Sequence, residues 1–482
     1  MNGRAVFHLI TYLLLMIGAS MAACWGVSLY FDDPAPAPSA LGLGAAITLV
    51  VAVVGHLVTR GPVDLSWRDG IGVGTLGWIA AMAFGALPYL FSGVIREPVS
   101  ALFETISGFS TTGASVLATL EPLPKGILLW RATTHFLGGM GILVLCVAIL
   151  PILGGGGMQL FRAEVAGPSK DRLTPRIAST AKLLWGVYVL ITVVEIVLLR
   201  LGGMPWFDSV CHSFATLATG GFSTRTASIA AYNSLYIEIV IIVFMLIGAA
   251  NYALHYRALR GDLRGAYRDS EFRFFMGFWL VGCLVVTLNT WRTMYPSFGT
   301  ALRNSVFSFT SLATTTGFAT ADFDQWPATS KLVLLLAMLV GGCVGSTGGG
   351  IKHMRILVAF KKIARRIRLF MHPQAVVQIK VNREPVDDEI VSTILGYIVL
   401  YLMALAVASV IMTHFTKDLL AAISSVIATM GGVGPGLGLV GPMQNYAAIP
   451  SGGKIVLILC MLLGRLEFYT LLALFFPSFW KK

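Results

Sequence analysis

The sequence predicts an all-α polytopic membrane protein, with four pseudo-symmetric helix–pore loop–helix repeats around one pore, preceded by two extra transmembrane helices. Three observations predict it: long apolar runs, basic residues gathered in alternate loops, and four short apolar segments that each end in a Gly- or Thr-rich turn.

Hydrophobic residues make up 56% of the chain and charged residues only 12%. A soluble domain of 482 residues cannot hide that much apolar surface, because accessible surface grows nearly as fast as mass. A helix crossing about 30 Å of hydrocarbon needs about 20 apolar residues. The runs Phe7–Tyr30, Ala40–Val58, Ile71–Leu90, Gly126–Ile149, Ala181–Leu201, Ile237–Leu254, Phe274–Trp291, Leu332–Val344, Ile390–Met412 and Ile455–Phe476 meet or approach that length. The run after Met21-Ala22-Ala23-Cys24 continues past the cysteine, so an uncleaved first helix is expected rather than a lipoprotein leader.

A net charge of +12 first suggests nucleic acid, but its distribution argues against it. Arg162, Lys170, Arg172, Arg176 and Lys182 form one cluster, and Arg257, Arg260, Arg264, Arg268 and Arg273 a second. A third runs from Lys352 and Arg355 through Lys361, Lys362, Arg365, Arg366 and Arg368 to Lys380 and Arg383. With Arg4, Arg60, Arg68, Lys481 and Lys482, most of the 35 Lys and Arg fall on one side. The positive-inside rule then places both termini in the cytoplasm. Topology alone accounts for the basic loops; binding of membrane lipids or of a cytosolic partner is the second reading. The six cysteines, Cys24, Cys146, Cys211, Cys283, Cys343 and Cys460, stand singly in apolar segments, as small core residues without disulfides do.

After two leading helices (residues 1–69), one unit recurs four times, over residues 70–157, 158–257, 258–368 and 369–482. Its informative part is a short segment: Pro98–Phe109, Trp206–Ala218, Phe298–Thr314 and Lys417–Met430. At 1.5 Å per residue about 12 apolar residues cannot cross a bilayer, but they can dip in and stop. The turn that follows is non-helical, which at membrane depth is tolerated only where it lines a water-filled cavity or is buried in protein. Four dips from the side opposite the basic loops converge on one axis.

A dehydrated cation needs oxygen on all sides, and backbone carbonyls supply it without fixed charge. Turning them to one axis needs a glycine where φ is positive, and each turn has one: Gly113, Gly221, Gly317 and Gly434. The candidate ion-binding residues are Thr111, Thr112 and Gly113; Thr219, Gly220 and Gly221; Thr315, Thr316 and Gly317; and Gly432, Val433 and Gly434. The second turn leaves Gly220 or Gly221 open as the matching glycine, and the fourth lacks threonine. Each short helix aims the partial negative charge of its C-terminal end inward. Glu104 and Asp208 read as acids near the starts of such helices, stabilised by the opposite end of the dipole. His135, Glu195 and Asn251 read as satisfied core polar groups.

Six glycines, Gly341, Gly342, Gly345, Gly348, Gly349 and Gly350, fall within one apolar span. Each costs a helix about 1 kcal/mol relative to alanine, so the stretch should unwind; close helix packing is the competing reading. It is no phosphate-binding loop, because Ile351 and Lys352 stand where Lys and Ser or Thr are required. Arg465 lies within the last span, where a charge must face a polar interior or find a partner such as Glu467.

The four turns, the two leading helices, the segment Gly341-Gly-Cys-Val-Gly-Ser-Thr-Gly-Gly-Gly-Ile-Lys352 and Gly464-Arg465-Leu466-Glu467 together resemble the Trk/Ktr/HKT superfamily of cation transporters, most closely its bacterial TrkH type, over essentially the whole chain. The resemblance implies a gated, channel-like potassium uptake protein of the bacterial inner membrane, with K+ as the transported ion at the filter. Glycine in all four turns goes there with potassium, whereas serine in the first goes with sodium preference in some members. It implies that Gly345, Ser346, Thr347, Gly348, Gly349 and Gly350 form an intramembrane gate beneath the filter, with Arg465 as a positive barrier beside it. It also implies a homodimer on a cytosolic TrkA-type nucleotide-binding regulatory subunit, for which the basic loops, Lys352–Arg368 included, are the expected contact. Potassium symport with Na+ or H+ is the alternative, disfavoured because the turns hold no carboxylate. Nucleic-acid binding and enzymatic activity are not expected, since no nucleophile–base pair, metal-ligand pair or phosphate cradle is present.

Overall fold

The computed structural model describes residues 2–61, 67–149 and 177–466, together with Phe468, Leu472, Phe476 and Pro477. Arg162, Lys170, Arg172, Arg176, Glu467, Lys481, Lys482 and the side chain of Cys146 lie outside what is described. The chain is mostly helical. Two helices, α1 (Gly3–Tyr30) and α2 (Ala37–Val58), lead, and α3 (Trp67–Gly85) and α4 (Leu87–Phe91) follow. Then come α5 (Pro98–Phe109), α6 (Lys125–Ile149), α7 (Ile177–Leu201), α8 (Trp206–Leu217), α9 (Leu235–Ala249), α10 (Tyr252–Leu259) and α11 (Leu263–Arg268). The rest of the chain holds α12 (Ser270–Thr290), α13 (Phe298–Ala313), α14 (Ala328–Val340), α15 (His353–Met371), α16 (Asp388–Thr413), α17 (Leu419–Met430) and α18 (Ser451–Leu466).

Among the described residues, six stretches are long and apolar enough to cross a membrane: α1, α2, Arg68–Phe91 through α3 and α4, Lys182–Leu201 of α7, α12 and α16. The run predicted over 237–254 is instead two helices, α9 and α10, bent by 106° at their break. The run predicted over 332–344 stops as a helix at Val340, where Gly341 takes φ +73°. From Gly341 to Lys352 the backbone is not helical, as its glycines require.

Burial is inverted relative to a soluble protein. Leu190, Val193 and Val197 of α7, Leu280, Val281 and Leu284 of α12, and Leu402, Met403 and Val407 of α16 point outward. Glu104, Arg131, His135, Glu195, Asp208 and His212 are buried. Hydrocarbon accepts the first set; the second must find partners inside.

The four short helices α5, α8, α13 and α17 are almost wholly buried along their last two turns. Neighbouring long helices meet their C-terminal ends through glycine. A Cβ on Gly138 of α6 would lie 1.9 Å from the Phe109 carbonyl oxygen, and one on Gly464 of α18 would lie 2.1 Å from that of Met430. Only glycine allows the backbones so close. On the basic side a two-stranded hairpin pairs Lys380 with Pro385 and Val381 with Glu384. Its turn residue Asn382 accepts from the Ser270 amide and donates to Asp269, holding the hairpin to the start of α12. The five described cysteines are buried and free of disulfides.

Candidate functional site

Each short helix ends in a three-residue turn of one conformation. The first residue has positive φ in all four: Thr111 (+56°), Thr219 (+52°), Thr315 (+58°) and Gly432 (+69°). So does the third: Gly113 (+80°), Gly221 (+78°), Gly317 (+84°) and Gly434 (+95°). Gly221 rather than Gly220 therefore matches the other three glycines. The first position is the unexpected one, since three threonines sit in a region that side chains rarely adopt.

The middle amides explain how this is held. Thr112, Gly220, Thr316 and Val433 donate to Ser107, Ala215, Ser311 and Ala428 at 2.8–2.9 Å, each five residues back in its own short helix. Gly113, Gly317 and Gly434 donate to the same acceptors at 3.3–3.5 Å. A trans peptide puts N–H and C=O on opposite sides. The carbonyls of Thr111, Thr219, Thr315 and Gly432, and those of Thr112, Thr316 and Val433, therefore point away from the short helices.

The turns touch in sequence order and close a ring. A Cβ on Gly113 would lie 2.0 Å from the Gly220 oxygen, and one on Gly221 would lie 2.0 Å from that of Thr316. One on Gly317 would lie 2.0 Å from the Val433 oxygen, and one on Gly434 would lie 2.7 Å from that of Thr112. All four glycines line one open vestibule on the side of the ring away from the glycine segment 341–352, and none of its described lining residues is acidic.

Two buried groups, one of them never singled out in the sequence, splint the ring. Glu104 is not at a helix start but in the middle of α5, fully buried, and bonded to Arg131 of α6 at 2.9 Å. Its carboxylate also accepts from the Ser115 hydroxyl and the Val116 amide, while Arg131 donates to the Ser223 carbonyl and covers the Phe222 ring. The pair thus ties the chain after the first turn to the chain after the second. His135 adds a second tie: Nδ1 donates to the Gly108 carbonyl and Nε2 accepts the Phe222 amide, which fixes the neutral tautomer. The sequence signal for Arg131 was faint, a lone cation in one apolar segment matched by Glu104 in another. Asp208 does sit in the first turn of α8, and it also accepts from Thr224, Arg225 and Tyr232.

The rim is held by carboxylates outside the spans. Glu121 accepts the Thr226 hydroxyl and amide, which hold its carboxyl down at about 2. Glu97 accepts from Ser100 and Ser451, with Lys454 beside it, and is likewise held at about 2.

On the opposite side of the ring lies the glycine segment 341–352. The Gly349 amide donates to the Thr315 hydroxyl (2.9 Å), and Thr347 Oγ1 lies 2.8 Å from the Leu217 oxygen and 3.0 Å from that of Gly248. The Thr219 hydroxyl stands 3.3 Å from that of Thr347. Arg465 reaches in from α18, donating to the carbonyls of Thr347 (2.9 Å) and Gly138 (3.0 Å). The segment also docks on the α9–α10 break: Cys343 donates to Ala249, and Tyr252 donates to Gly345. Glu271, unremarked in the sequence because it reads as an ordinary first-turn acid of α12, accepts the amides of both Val344 and Met354. Gly345, Ser346, Thr347, Gly348, Gly349 and Gly350 are thus brought against turns two and three and beside Arg465. Glu195 is buried in α7 near Thr216 and Tyr252, the latter bonded to Gly345. Neither of its carboxylate oxygens has a hydrogen-bond partner among the described residues, so it is not the satisfied core group the sequence suggested.

Among the described residues no cluster of three or more metal-ligating side chains occurs. The arrangement offers backbone oxygens instead, open on one side and closed by a bonded loop on the other.

A family model described as "Cation transport protein", TrkH, matches residues 44–482. The chain is 40% identical over 493 residues to the Trk system potassium uptake protein TrkH of Salmonella typhimurium, covering all of both chains. It is 33% identical over 485 residues to the Trk system potassium uptake protein TrkG of Escherichia coli, covering 99% of each. It superposes on the crystal structure of the potassium transporter TrkH from Vibrio parahaemolyticus with a TM-score of 0.90, at 36% identity and full coverage of both chains. The chain belongs to the TrkH family of cation transport proteins.

Proposed function

We propose that this protein takes up potassium through a gated pore whose filter is the ring of four turns. The observation that carries the reading is the closure of that ring, with seven carbonyls of its first and middle residues turned away from the short helices. A cation that sheds its water there finds oxygen from four directions, at no cost in fixed charge. The absence of acidic residues among the described lining of the vestibule fits a site that selects by coordination rather than by concentrating every cation. The names of the relatives support potassium as the ion.

The segment 341–350 is the gate in this reading. Thr347 and Gly349 hold it against the ring, and Arg465 supplies positive charge on its path. Opening requires those bonds to exchange for others. A cytosolic nucleotide-binding subunit of the TrkA type, acting on a homodimer in the bacterial inner membrane, is the proposed source of that exchange. Uptake is driven by the membrane potential, about 2.3 kcal/mol per charge per 100 mV.

The test is the reversal potential of the purified protein in vesicles. It should follow the potassium gradient and ignore Na+ and pH; a shift with either would replace the pore by a coupled symporter. Gly113→Ser should lower the preference for K+ over Na+, and an unchanged ratio would remove the first turn from the filter.

A further inference from the structure

Helix α15 begins directly after the proposed gate, and one of its faces is largely exposed. Its inner face is used: Met354 and Val358 pack with Val391 and Ile394 of α16, Lys361 donates to the Lys380 carbonyl, and Arg365 pairs with Asp388. The opposite face carries Phe360, Ile363, Ile367 and Phe370, exposed by 58%, 56%, 55% and 89%. Their spacing of three, four and three residues is a straight stripe on a helix. The helix contains six Lys and Arg and no Asp or Glu, and Arg366 and Arg368 stand exposed on either flank of the stripe.

Two observations choose the occupant. The first is continuity: the Phe360 ring meets the Phe274 ring of α12 at 6.1 Å. Phe274, Val281 and Leu288 follow one another at seven-residue intervals, and the last two are exposed on the lipid-facing side of α12. The stripe on α15 therefore takes up the bilayer-facing surface where α12 reaches the basic side. The second is charge. Pairing two copies through this stripe would bring two acid-free helices together, whereas an anionic leaflet supplies the countercharge.

We propose that α15 is a membrane-surface helix, its stripe seated at the acyl boundary and Arg366 and Arg368 holding anionic phospholipid headgroups. The docking stands on the geometry of α15 alone; its consequence rests on the reading of residues 341–350 as a gate. Lys352 donates to the Val340 carbonyl and His353 to that of Gly342, so a lipid hold on α15 is a hold on the end of that loop.

The test uses the full-length protein in bilayer discs of phosphatidylcholine, with or without phosphatidylglycerol. A fluorophore is attached at Phe370→Cys, with labelled protein lacking that change as the blank, and spin-labelled lipid is the quencher. Quenching should be strong with phosphatidylglycerol and weak without it. Arg366→Gln with Arg368→Gln should lower the docked-to-free ratio about thirtyfold, about 2 kcal/mol at about 1 kcal/mol per basic residue. Ile363→Ser with Ile367→Ser should abolish quenching in both lipids. Equal quenching in both lipids, or none in either, overturns the proposal. So does a disulfide formed between two copies at Phe370→Cys, or a probe shielded only when a cytosolic protein is added. Potassium flux is followed separately in vesicles of the same two compositions. No flux in either, with quenching unchanged, would sink the pore and leave the docking standing.

Discussion

Glu104→Gln removes one charge from the splint between the first two turns, and the structure sets the size of the loss. The carboxylate takes three donors, Arg131 Nε at 2.9 Å, the Ser115 hydroxyl at 3.0 Å and the Val116 amide at 2.9 Å, with no exposed surface. A glutamine of the same size has one acceptor oxygen. With that oxygen left on Arg131 and Ser115, its NH2 group faces the Val116 N–H, donor against donor. Arg131, 2% exposed, also keeps its charge without a counterion. Breaking such a buried pair costs about 3–5 kcal/mol, and 3 kcal/mol is already about a hundredfold in the folding equilibrium. Glu104→Leu or Arg131→Met alone should cost a similar amount, while Glu104→Leu with Arg131→Met should cost less than those two single losses together by about 3 kcal/mol. A reversible mixed-micelle denaturation followed by tryptophan fluorescence reads the cycle. Single losses that add to the double within about 0.5 kcal/mol would refute the splint. A Glu104→Gln cost below about 1 kcal/mol would do the same.

Three further changes reach other parts of the site. Gly317→Ala puts a Cβ 2.0 Å from the Val433 oxygen and 2.8 Å from Pro435 Cδ; it should collapse the K+/Na+ flux ratio, and a retained ratio would open the ring. Thr347→Val removes the hydroxyl bond that holds residues 341–350 to Leu217 and Gly248, worth about 1 kcal/mol. Basal flux in vesicles should rise about fivefold, and an unchanged flux would mean that this bond does not restrain the gate. Glu97, held at about 2, stabilises the rim once pH exceeds the ordinary carboxyl range, and that contribution is lost as pH falls through about 2. Glu97→Gln should therefore lower the melting temperature at pH 7 and make little difference near pH 2; an equal gap at both would rule out the carboxylate as its source.

The first short helix was legible residue for residue, Pro98–Phe109, because proline opens it and the polar turn closes it. The others were placed to within two residues, the fourth opening on the Asp418 cap and closing on glycines rather than on proline and a polar turn. The non-helical stretch after Val340 was legible from its glycines. The 106° bend between α9 and α10 was not, since Gly248-Ala249-Ala250-Asn251 reads as one continuous apolar run. Its cause lies about 95 residues away, in the amides and carbonyls of the glycine segment that pair with it. Glu104 was misplaced because an acid near a helix start and an acid paired across a core look alike until the partner is known.

By itself, then, the sequence determined that the chain is embedded, which loops are basic, where four short helices end, and which residue types can turn there. Those follow from composition, length and local dihedral preference, which each segment carries alone. Only the tertiary structure decided that Gly221 rather than Gly220 completes the ring, that Arg131 answers Glu104, and that Glu271 holds both sides of the glycine loop. Each depends on atoms from segments tens to hundreds of residues apart meeting within about 3 Å, the reach of a hydrogen bond, and no local preference encodes such a meeting.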